Sequence, residues 1–140
     1  MKVKEIMTKS PACCTPETSL REVAAMFVDN DCGAVPVVDS VNTRRPIGMV
    51  TDRDIACRAV AKGLNALELT ARDCMSSPSA TIAEDASLDE AIKLMEEKRV
   101  RRLPVVDERG RCIGMIAQAD IALSAGRGKT AEVVREISRP

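Results

Sequence analysis

The chain has 140 residues, of which 45% are hydrophobic and 30% charged, a composition typical of one folded domain rather than of a disordered or membrane-spanning chain. Its 21 basic and 21 acidic residues cancel, so it lacks the positive field that nucleic-acid-binding proteins present to their partner. Histidine is absent, which excludes Ser-His-Asp and Cys-His catalysis and removes the commonest neutral metal ligand.

The first half of the chain predicts one β-α-β-β-α unit. An extended segment near residues 12–14 precedes a helix that begins at Ser19, where S-x-x-E with Glu22 is typical of a capping box. Strands follow at residues 34–38 and 47–50, joined by a polar turn, and a second helix begins at Asp52. The first helix carries an apolar stripe at i, i+3, i+4 and i+7, formed by Leu20, Val23, Ala24 and Phe27.

The second half repeats this order. MTKSPACCTPETSLREVAAMF at residues 7–27 resembles CMSSPSATIAEDASLDEAIKLM at residues 74–95. Further on, AVPVVD corresponds to RLPVVD, and PIGMVTDRDI corresponds to CIGMIAQADI. The pattern predicts an extended piece at residues 81–82, a helix capped by Ser87 and Glu90, strands at residues 103–106 and 113–116, and a helix from Gln118.

A proline interrupts one strand of each copy, at Pro36 and Pro104. Because proline has no amide hydrogen to donate to a ladder, this predicts an edge strand or a strand end. One β-α-β-β-α unit has helices on one face of a small sheet, so the other face must pack on a partner to leave water. The second copy is the expected partner.

We therefore predict a mixed α/β (α+β) fold, with two β-α-β-β-α repeats packed about a pseudo-twofold axis. Residues 1–65 hold the first repeat with an N-terminal extension, residues 66–125 the second repeat, and residues 126–140 a C-terminal tail, all in one compact module. Packing of this kind would create two related clefts between the sheets, in which a planar ligand could be buried.

No export signal or membrane span is visible, since no apolar run follows the lysines of the first ten residues. We expect a cytoplasmic protein whose six cysteines stay reduced. They form no C-x-x-C pair and are interpreted mostly as small apolar residues, and no metal site is predicted.

Four motifs then occur in the same order in both copies: M-x-x-x-P or M-x-x-P, S-L-x-E-[AV], [VL]-P-V-V-D and G-M-[VI]-x-x-x-D-I. Each copy resembles a CBS repeat, and the tandem resembles the pair called a Bateman module, especially that of small two-repeat bacterial proteins. The resemblance covers residues 7–123 and leaves the N-terminal turn and the tail after Ser124 outside.

The resemblance implies a regulatory or sensor module, not an enzyme, that binds an adenine nucleotide or another adenosyl ligand: AMP, ADP, ATP or S-adenosylmethionine. It also implies a homodimer. No required cofactor, nucleic-acid partner or membrane partner is expected, and the downstream protein target is not indicated by the sequence.

The family's nucleotide-binding pattern, G-x-x-[TS]-x-x-D, is complete in the first copy with Gly48, Thr51 and Asp54. By resemblance, the Asp54 carboxylate accepts hydrogen bonds from both ribose hydroxyls. The Thr51 hydroxyl and nearby helix N-terminal amides receive a phosphate. In the second copy, Asp120 matches the acid but Ala117 replaces the threonine.

The resemblance builds each cleft from both copies. Asp54 and Thr51 belong to a first cleft, with the adenine against the backbone of two residues and the phosphate beside two arginines: Thr81, Ile82, Arg101 and Arg102. Asp120 belongs to a second cleft, with four residues of the first copy: Cys13, Cys14, Gly33 and Ala34. Because the second cleft lacks the threonine and the arginine pair, we expect it to be empty, weaker, or suited to an adenosyl group with less negative charge.

Other interpretations stay open at several of these positions. T-x-x-D from Thr51 is also a good helix cap, although the recurrence of the acid at Asp120 without the threonine favours a ligand role. Arg101, Arg102 and the nearby Arg99 also fit a solvated cluster at a helix end. Cys13 and Cys14 are interpreted as core or cleft-wall residues rather than as a metal site or oxidation sensor, because alternation along a strand points them to opposite faces.

G-R-G-K-T at residues 126–130 is not interpreted as a P-loop, because Leu123 stands where that motif needs its first glycine. A glycine hinge before a final helix with Val133, Val134 and Ile137 is expected instead. Two rival functions remain: a structural or partner-binding protein with empty clefts, and an enzyme acting on the bound nucleotide through its acids, Asp52, Asp54 and Asp120.

Overall fold

The computed structural model describes residues 1–77 and 80–124. By contacts the chain forms two compact units. The first-copy unit is Pro11–Ser79, and the second-copy unit is Met1–Ser10 together with the chain from Ala80 onward. The boundary predicted between residues 65 and 66 follows the sequence repeat and stays a prediction. The predicted C-terminal tail and the G-R-G-K-T segment lie outside the described residues.

The elements follow the predicted order in both copies. Along the chain they are a 3-10 turn (Val3–Glu5), β1 (Thr8–Lys9), α1 (Leu20–Asp29), β2 (Ala34–Val38), β3 (Pro46–Thr51), α2 (Asp52–Ile55) continued by a π-helical turn (Ala56–Val60), a 3-10 turn (Ala66–Glu68), α3 (Ala71–Cys74), β4 (Ile82–Ala83), α4 (Leu88–Lys98), β5 (Arg102–Val106), β6 (Cys112–Ala117) and α5 (Gln118–Ser124). The mixed α+β fold class is confirmed. The two long helices begin as expected, since the hydroxyls of Ser19 and Ser87 accept hydrogen bonds from the amides of Glu22 and Glu90, each at 3.1 Å.

The first-copy unit is built on the antiparallel pair β2 and β3, in which Ala34 lies opposite Thr51. Cys14 adds a parallel bridge to β2 at Val37. All five residues of β2 are buried, and α1 covers the sheet through Val23, which is fully buried in the same core. The predicted apolar stripe is thus buried at Leu20 and Val23, whereas Phe27 is half-buried and Ala24, which was expected to be buried, is exposed.

The second-copy unit has a four-stranded sheet in the order β1-β6-β5-β4. β5 and β6 are antiparallel, β4 runs parallel to β5, and β1 is antiparallel to β6. Its core consists of residues from the N-terminal turn, α4, the strands and α5: Val3, Ile82, Leu88, Ala91, Ile92, Met95, Leu103, Val105, Ile116 and Ile121.

The leading segment of each copy pairs with the sheet of the other copy. β1 precedes the first copy but pairs with β6, and Ser76 precedes the second copy but bridges to Met49 in β3. The N-terminal turn also has a counterpart in the other copy. Lys2 forms a bridge with Ser87, and Thr70, which occupies the position equivalent to Lys2, forms the equivalent bridge with Ser19. The expectation that this turn lies outside the repeated pattern was wrong.

Close backbone approach at these junctions requires a glycine. A Cβ on Gly48 would collide with the carbonyl oxygen of Ser76 and lie 2.7 Å from Cε of Met75. A Cβ on Gly114 would collide with Sδ of Met7 and lie 3.1 Å from the carbonyl oxygen of Thr8. The G-M-[VI] motif therefore has a packing reason in both copies.

The prediction that the prolines mark edge strands or strand ends was wrong for Pro104, whereas Pro36 lies in an edge strand because β2 and β3 form a two-stranded sheet. Pro36 and Pro104 lie in the middle of β2 and β5, and β5 has a neighbour on each side. The amide of Gln118 donates to the carbonyl of Arg101 at 2.9 Å, and alternation along the pair then turns the Pro104 nitrogen away from β6. β4 pairs with β5 only from Val105 onward, so this nitrogen faces no strand.

No helix within residues 1–77 and 80–124 is both long enough and apolar enough to cross a membrane.

Candidate functional site

A reciprocal cap fixes the Asp54 side chain at the start of α2. The Thr51 hydroxyl accepts a hydrogen bond from the Asp54 amide at 3.0 Å, and Oδ2 of Asp54 accepts one from the Thr51 amide at 2.9 Å. The helix-cap interpretation of T-x-x-D is therefore confirmed. Oδ1 of Asp54 receives no hydrogen bond from the described part of the chain, so one carboxylate oxygen remains available to a ligand.

The amides expected to receive a phosphate already have acceptors. Besides Thr51 and Asp54, the Asp52 amide donates to the carbonyl of Gly33 at 3.0 Å, and the Arg53 amide donates to Oδ1 of Asp52 at 2.8 Å. All four consecutive amides from Thr51 to Asp54 are thus bonded within the protein. A phosphate at this position would have to displace one of these bonds.

Asp120 repeats the carboxylate half of this arrangement in the second-copy unit. Its Oδ2 accepts a hydrogen bond from the Ala117 amide at 2.8 Å, although no threonine hydroxyl is present to complete the cap. The recurrence of the acid therefore has a structural cause and is not by itself a sign of a ligand. Within residues 1–77 and 80–124, Oδ1 of Asp120 is left without a hydrogen bond, as is Oδ1 of Asp54.

The two predicted arginines lie where the β5–β6 pair meets α5. Arg102 opens β5 opposite Ala117, and the Arg101 carbonyl holds the first amide of α5, that of Gln118. The Arg101 side chain is exposed and Arg102 is half-buried. Arg99 is the C-terminal cap of α4 with a φ of 53°, so it fits the interpretation as a helix-end residue.

The remaining predicted residues occupy one strand-like segment in each unit. Ile82 lies in β4 opposite Val105, and Thr81 comes directly before it. In the first-copy unit, Ala34 opens β2 and Gly33 precedes it. Each predicted cleft takes residues from both units, so the meeting of the two sets in one site stays a prediction.

The two adjacent cysteines differ as strand alternation predicts. Cys14 is buried, and burial, reinforced by the neighbouring Cys13, raises the pKa of its thiol to about 12. Cys13 is half-buried, with its Sγ 3.4 Å from Nη2 of Arg44. Among the described residues, no three side chains of Cys, Asp, Glu or His come together as metal ligands.

We expect Cys14 to resist alkylation by iodoacetamide at pH 8 while the exposed Cys32 and Cys57 react, because only the thiolate is a good nucleophile. Since the raised pKa belongs to the folded state, protection of Cys14 should persist until the pH approaches the folded pKa or the protein unfolds. Peptide mapping of the native and the urea-unfolded protein measures this. Rapid labelling of native Cys14 at pH 8 would contradict its burial.

The position of the Asp52 carboxylate over Gly33 was not predicted from the sequence. A Cβ placed on Gly33 would lie 2.9 Å from Oδ2 of Asp52, so the carboxylate occupies the space directly above this glycine. An alignment of the two copies could have drawn attention to Asp52, because Arg101 and Gln118 stand in the second copy where Gly33 and Asp52 stand in the first.

The model of the CBS domain family matches residues 3–59 and 71–125. An uncharacterized protein of Methanopyrus kandleri is 39% identical over 118 residues, which are 84% of this chain and 57% of that protein. The chain thus spans little more than half of that relative. Hypoxic response protein 1 of Mycobacterium tuberculosis is 31% identical over 137 residues, covering 98% of this chain and 94% of the relative.

Two solved structures share the fold at appreciable identity. The crystal structure of Hypoxic Response Protein I with two coordinated zinc ions has a TM-score of 0.78 at 32% identity, covering 90% of this chain and all of the other. A CBS domain pair in complex with 5′-methylthioadenosine and S-adenosyl-L-methionine has a TM-score of 0.78 at 27% identity, covering 89% of this chain and 94% of the other.

Proposed function

The chain belongs to the CBS domain family, with two CBS domains in tandem, and we propose that it is a regulatory module that binds an adenosyl ligand and is not an enzyme. The ligand would lie in clefts to which both repeats contribute. Binding energy and a change of shape, rather than bond making, would transmit the signal.

The observation that carries this proposal is a fixed carboxylate with one available oxygen, present in each copy. Asp54 and Asp120 are each held through Oδ2 by a backbone amide, at 2.9 and 2.8 Å, and each keeps Oδ1 without a hydrogen bond from residues 1–77 and 80–124. A held carboxylate loses little side-chain entropy when a ligand binds. Such an acceptor suits the paired hydroxyls of a ribose, which donate charge-assisted hydrogen bonds.

The same proposal assigns roles to the other predicted residues. The backbone of Thr81 and Ile82 would contact the adenine bound beside Asp54, and Arg101 and Arg102 would contact the phosphate of any ligand that carries one. Four residues would line the cleft that uses Asp120: Cys13, Cys14, Gly33 and Ala34. The related CBS pair that holds 5′-methylthioadenosine and S-adenosyl-L-methionine supports an adenosyl group as the common element.

Zinc is not part of the proposal, although a relative holds two zinc ions. This chain has no histidine, and the part of it that the structure describes brings no group of three potential ligands together. Zinc sites need three or four nitrogen, sulfur or carboxylate donors.

Regulation would follow from differential binding. A ligand that contacts both repeats shifts their arrangement only as far as it prefers one arrangement over another. We propose that the module acts as a homodimer in the cytoplasm, where a change in the pair would be passed to a protein partner.

A thermal shift experiment tests the proposal directly. At about 100 times its dissociation constant, a ligand adds roughly 2.7 kcal/mol to the free energy of unfolding, which is on the order of 6 to 11 °C for a chain of this size. We expect such a rise with at least one of AMP, ADP, ATP, 5′-methylthioadenosine and S-adenosylmethionine, and none with cytidine monophosphate. No rise with any adenosyl compound, together with no heat in calorimetry, would refute the function.

A further inference from the structure

The two copies differ in charge at one structurally equivalent position. In the first-copy unit the Asp52 amide donates to the carbonyl of Gly33 at 3.0 Å, and in the second-copy unit the Gln118 amide donates to the carbonyl of Arg101 at 2.9 Å. The same bond therefore joins the same two positions in both units. One pair presents a carboxylate and no cation, whereas the other presents a guanidinium and a neutral amide.

One hydrogen bond fixes the Asp52 carboxylate, and the missing side chain of Gly33 leaves space for it. Its Oδ1 accepts a hydrogen bond from the Arg53 amide at 2.8 Å, and its Oδ2 lies over Gly33, within 2.9 Å of where a Cβ would stand. Gly33 thus leaves room for the carboxylate at the end of the β2–β3 pair. Asp52 takes part in none of the ion pairs of residues 1–77 and 80–124, and it is exposed.

The four amides at the start of α2 are not free to offset this charge for an incoming anion. The amides from Thr51 to Asp54 all donate within the protein. An anion approaching this end of the first-copy unit would meet the carboxylates of Asp52 and Asp54, with Arg53 as the cation between them in sequence. Like charges a few ångströms apart repel by about 1 kcal/mol or more even in a water-like dielectric.

We propose that Asp52 determines ligand specificity at this end of the first-copy unit. It disfavours adenosyl ligands that carry phosphate and favours those whose 5′ group is neutral or positive, such as a thioether or a sulfonium. This inference rests on the proposed function, since it names the class of adenosyl ligand that the same module takes.

Asp52→Asn tests the inference because asparagine keeps the size and the acceptor oxygen for the Arg53 amide while removing the charge. Isothermal titration calorimetry compares AMP with 5′-methylthioadenosine, which has the same nucleoside and a methylthio group in place of phosphate. We expect the affinity for AMP to rise about tenfold in the variant and the affinity for 5′-methylthioadenosine to change less than about twofold. S-adenosylmethionine should bind about threefold to tenfold more weakly.

Salt separates a charge effect from a packing effect. The gain in AMP affinity should shrink between about 0.05 and 0.5 M sodium chloride, because the Debye length falls well below 10 Å over that range. Asp29→Asn is the matched control, since it removes one exposed carboxylate from the same unit at the end of α1. It should leave all three affinities unchanged.

The outcomes distinguish this inference from the proposed function. If 5′-methylthioadenosine binds but AMP has the same affinity for the wild type and for Asp52→Asn, the role of Asp52 is overturned and the proposed function stands. An AMP gain that Asp29→Asn reproduces would also overturn it. Absence of binding by all three ligands to both proteins would overturn the proposed function and this inference with it.

Discussion

Asp54→Ala should abolish most of the rise in melting temperature that an adenosyl ligand gives to the wild-type protein. The substitution removes the carboxylate proposed to accept the ribose hydroxyls, and hydrogen bonds to a charged acceptor contribute about 1.5 to 3 kcal/mol each. A loss of this size weakens binding by at least an order of magnitude. Thermal shift and calorimetry with the ligand that gives the largest wild-type response measure it.

A control is needed because Asp54 also caps α2, and loss of a cap costs roughly 1 kcal/mol. The chain offers a matched variant in Asp73→Ala, since Oδ2 of Asp73 accepts from the Thr70 amide at 2.9 Å in another T-x-x-D cap of the same unit. Asp73→Ala should lower the melting temperature of the free protein by a similar amount and keep the full ligand response. Equal loss of response in both variants would mean that Asp54 acts only through the cap.

Asp120→Ala tests the ranking of the two clefts. We expect it to lose less of the response than Asp54→Ala, because the cleft that contains Asp54 is also the one assigned Arg101 and Arg102. The reverse order would show that Asp120 marks the stronger site. Because Asp52 is proposed to disfavour phosphate near Asp54, the cleft that contains Asp54 should be the stronger one most clearly for ligands without phosphate. The losses of response in Asp54→Ala and Asp120→Ala should therefore be compared with AMP and with 5′-methylthioadenosine.

The elements of the fold could be predicted because their signals are local. A capping serine and an apolar stripe locate α1 and α4, and alternating β-branched residues locate the strands. The predicted helix start at Asp52 and the strand at residues 34–38 coincide with the observed bounds. The duplication supported each assignment, because the same pattern occurs at equivalent positions in both copies.

The pairing of the leading segments could not be predicted, because it depends on contacts between distant parts of the chain. Two-residue strands such as β1 carry no periodicity, and nothing in M-T-K-S states which sheet it joins. The edge-strand prediction failed at Pro104 for a related reason. A proline excludes a hydrogen bond on one side of one residue only, and the sequence does not say whether a neighbouring strand reaches that far.

The candidate site shows the same division. The resemblance to the family's nucleotide-binding pattern predicted Thr51, Asp54 and Asp120 as site residues, but it did not reveal that the Thr51–Asp54 amides are already bonded within the protein. The charge difference between Gly33 with Asp52 and Arg101 with Gln118 was readable by aligning the copies. Its physical meaning needed the geometry, because only the structure places the Asp52 carboxylate over Gly33.

Val3→Asp should destabilise the second-copy unit, although Val3 lies far in sequence from the rest of that unit. Val3 is completely buried in the core that α4, β5 and β6 form, and its amide donates to the carbonyl of Ala86 at 2.9 Å. Burying an unpaired carboxylate there should cost about 3 kcal/mol or more. Native-state hydrogen exchange should therefore show lost protection mainly in residues 80–124, with a smaller effect in residues 11–77.

Two further variants make this result interpretable. Val28→Asp introduces the same charge on α1 at a position that is 80% exposed, so it should change stability by less than about 0.5 kcal/mol. Ala71→Asp places the charge at the matching position of the second leading segment, which is fully buried in the core of the first-copy unit, and should remove protection from residues 11–77. If Val3→Asp instead exposed residues 11–77, each leading segment would belong to its own copy, and the exchange of segments between the sheets would be refuted.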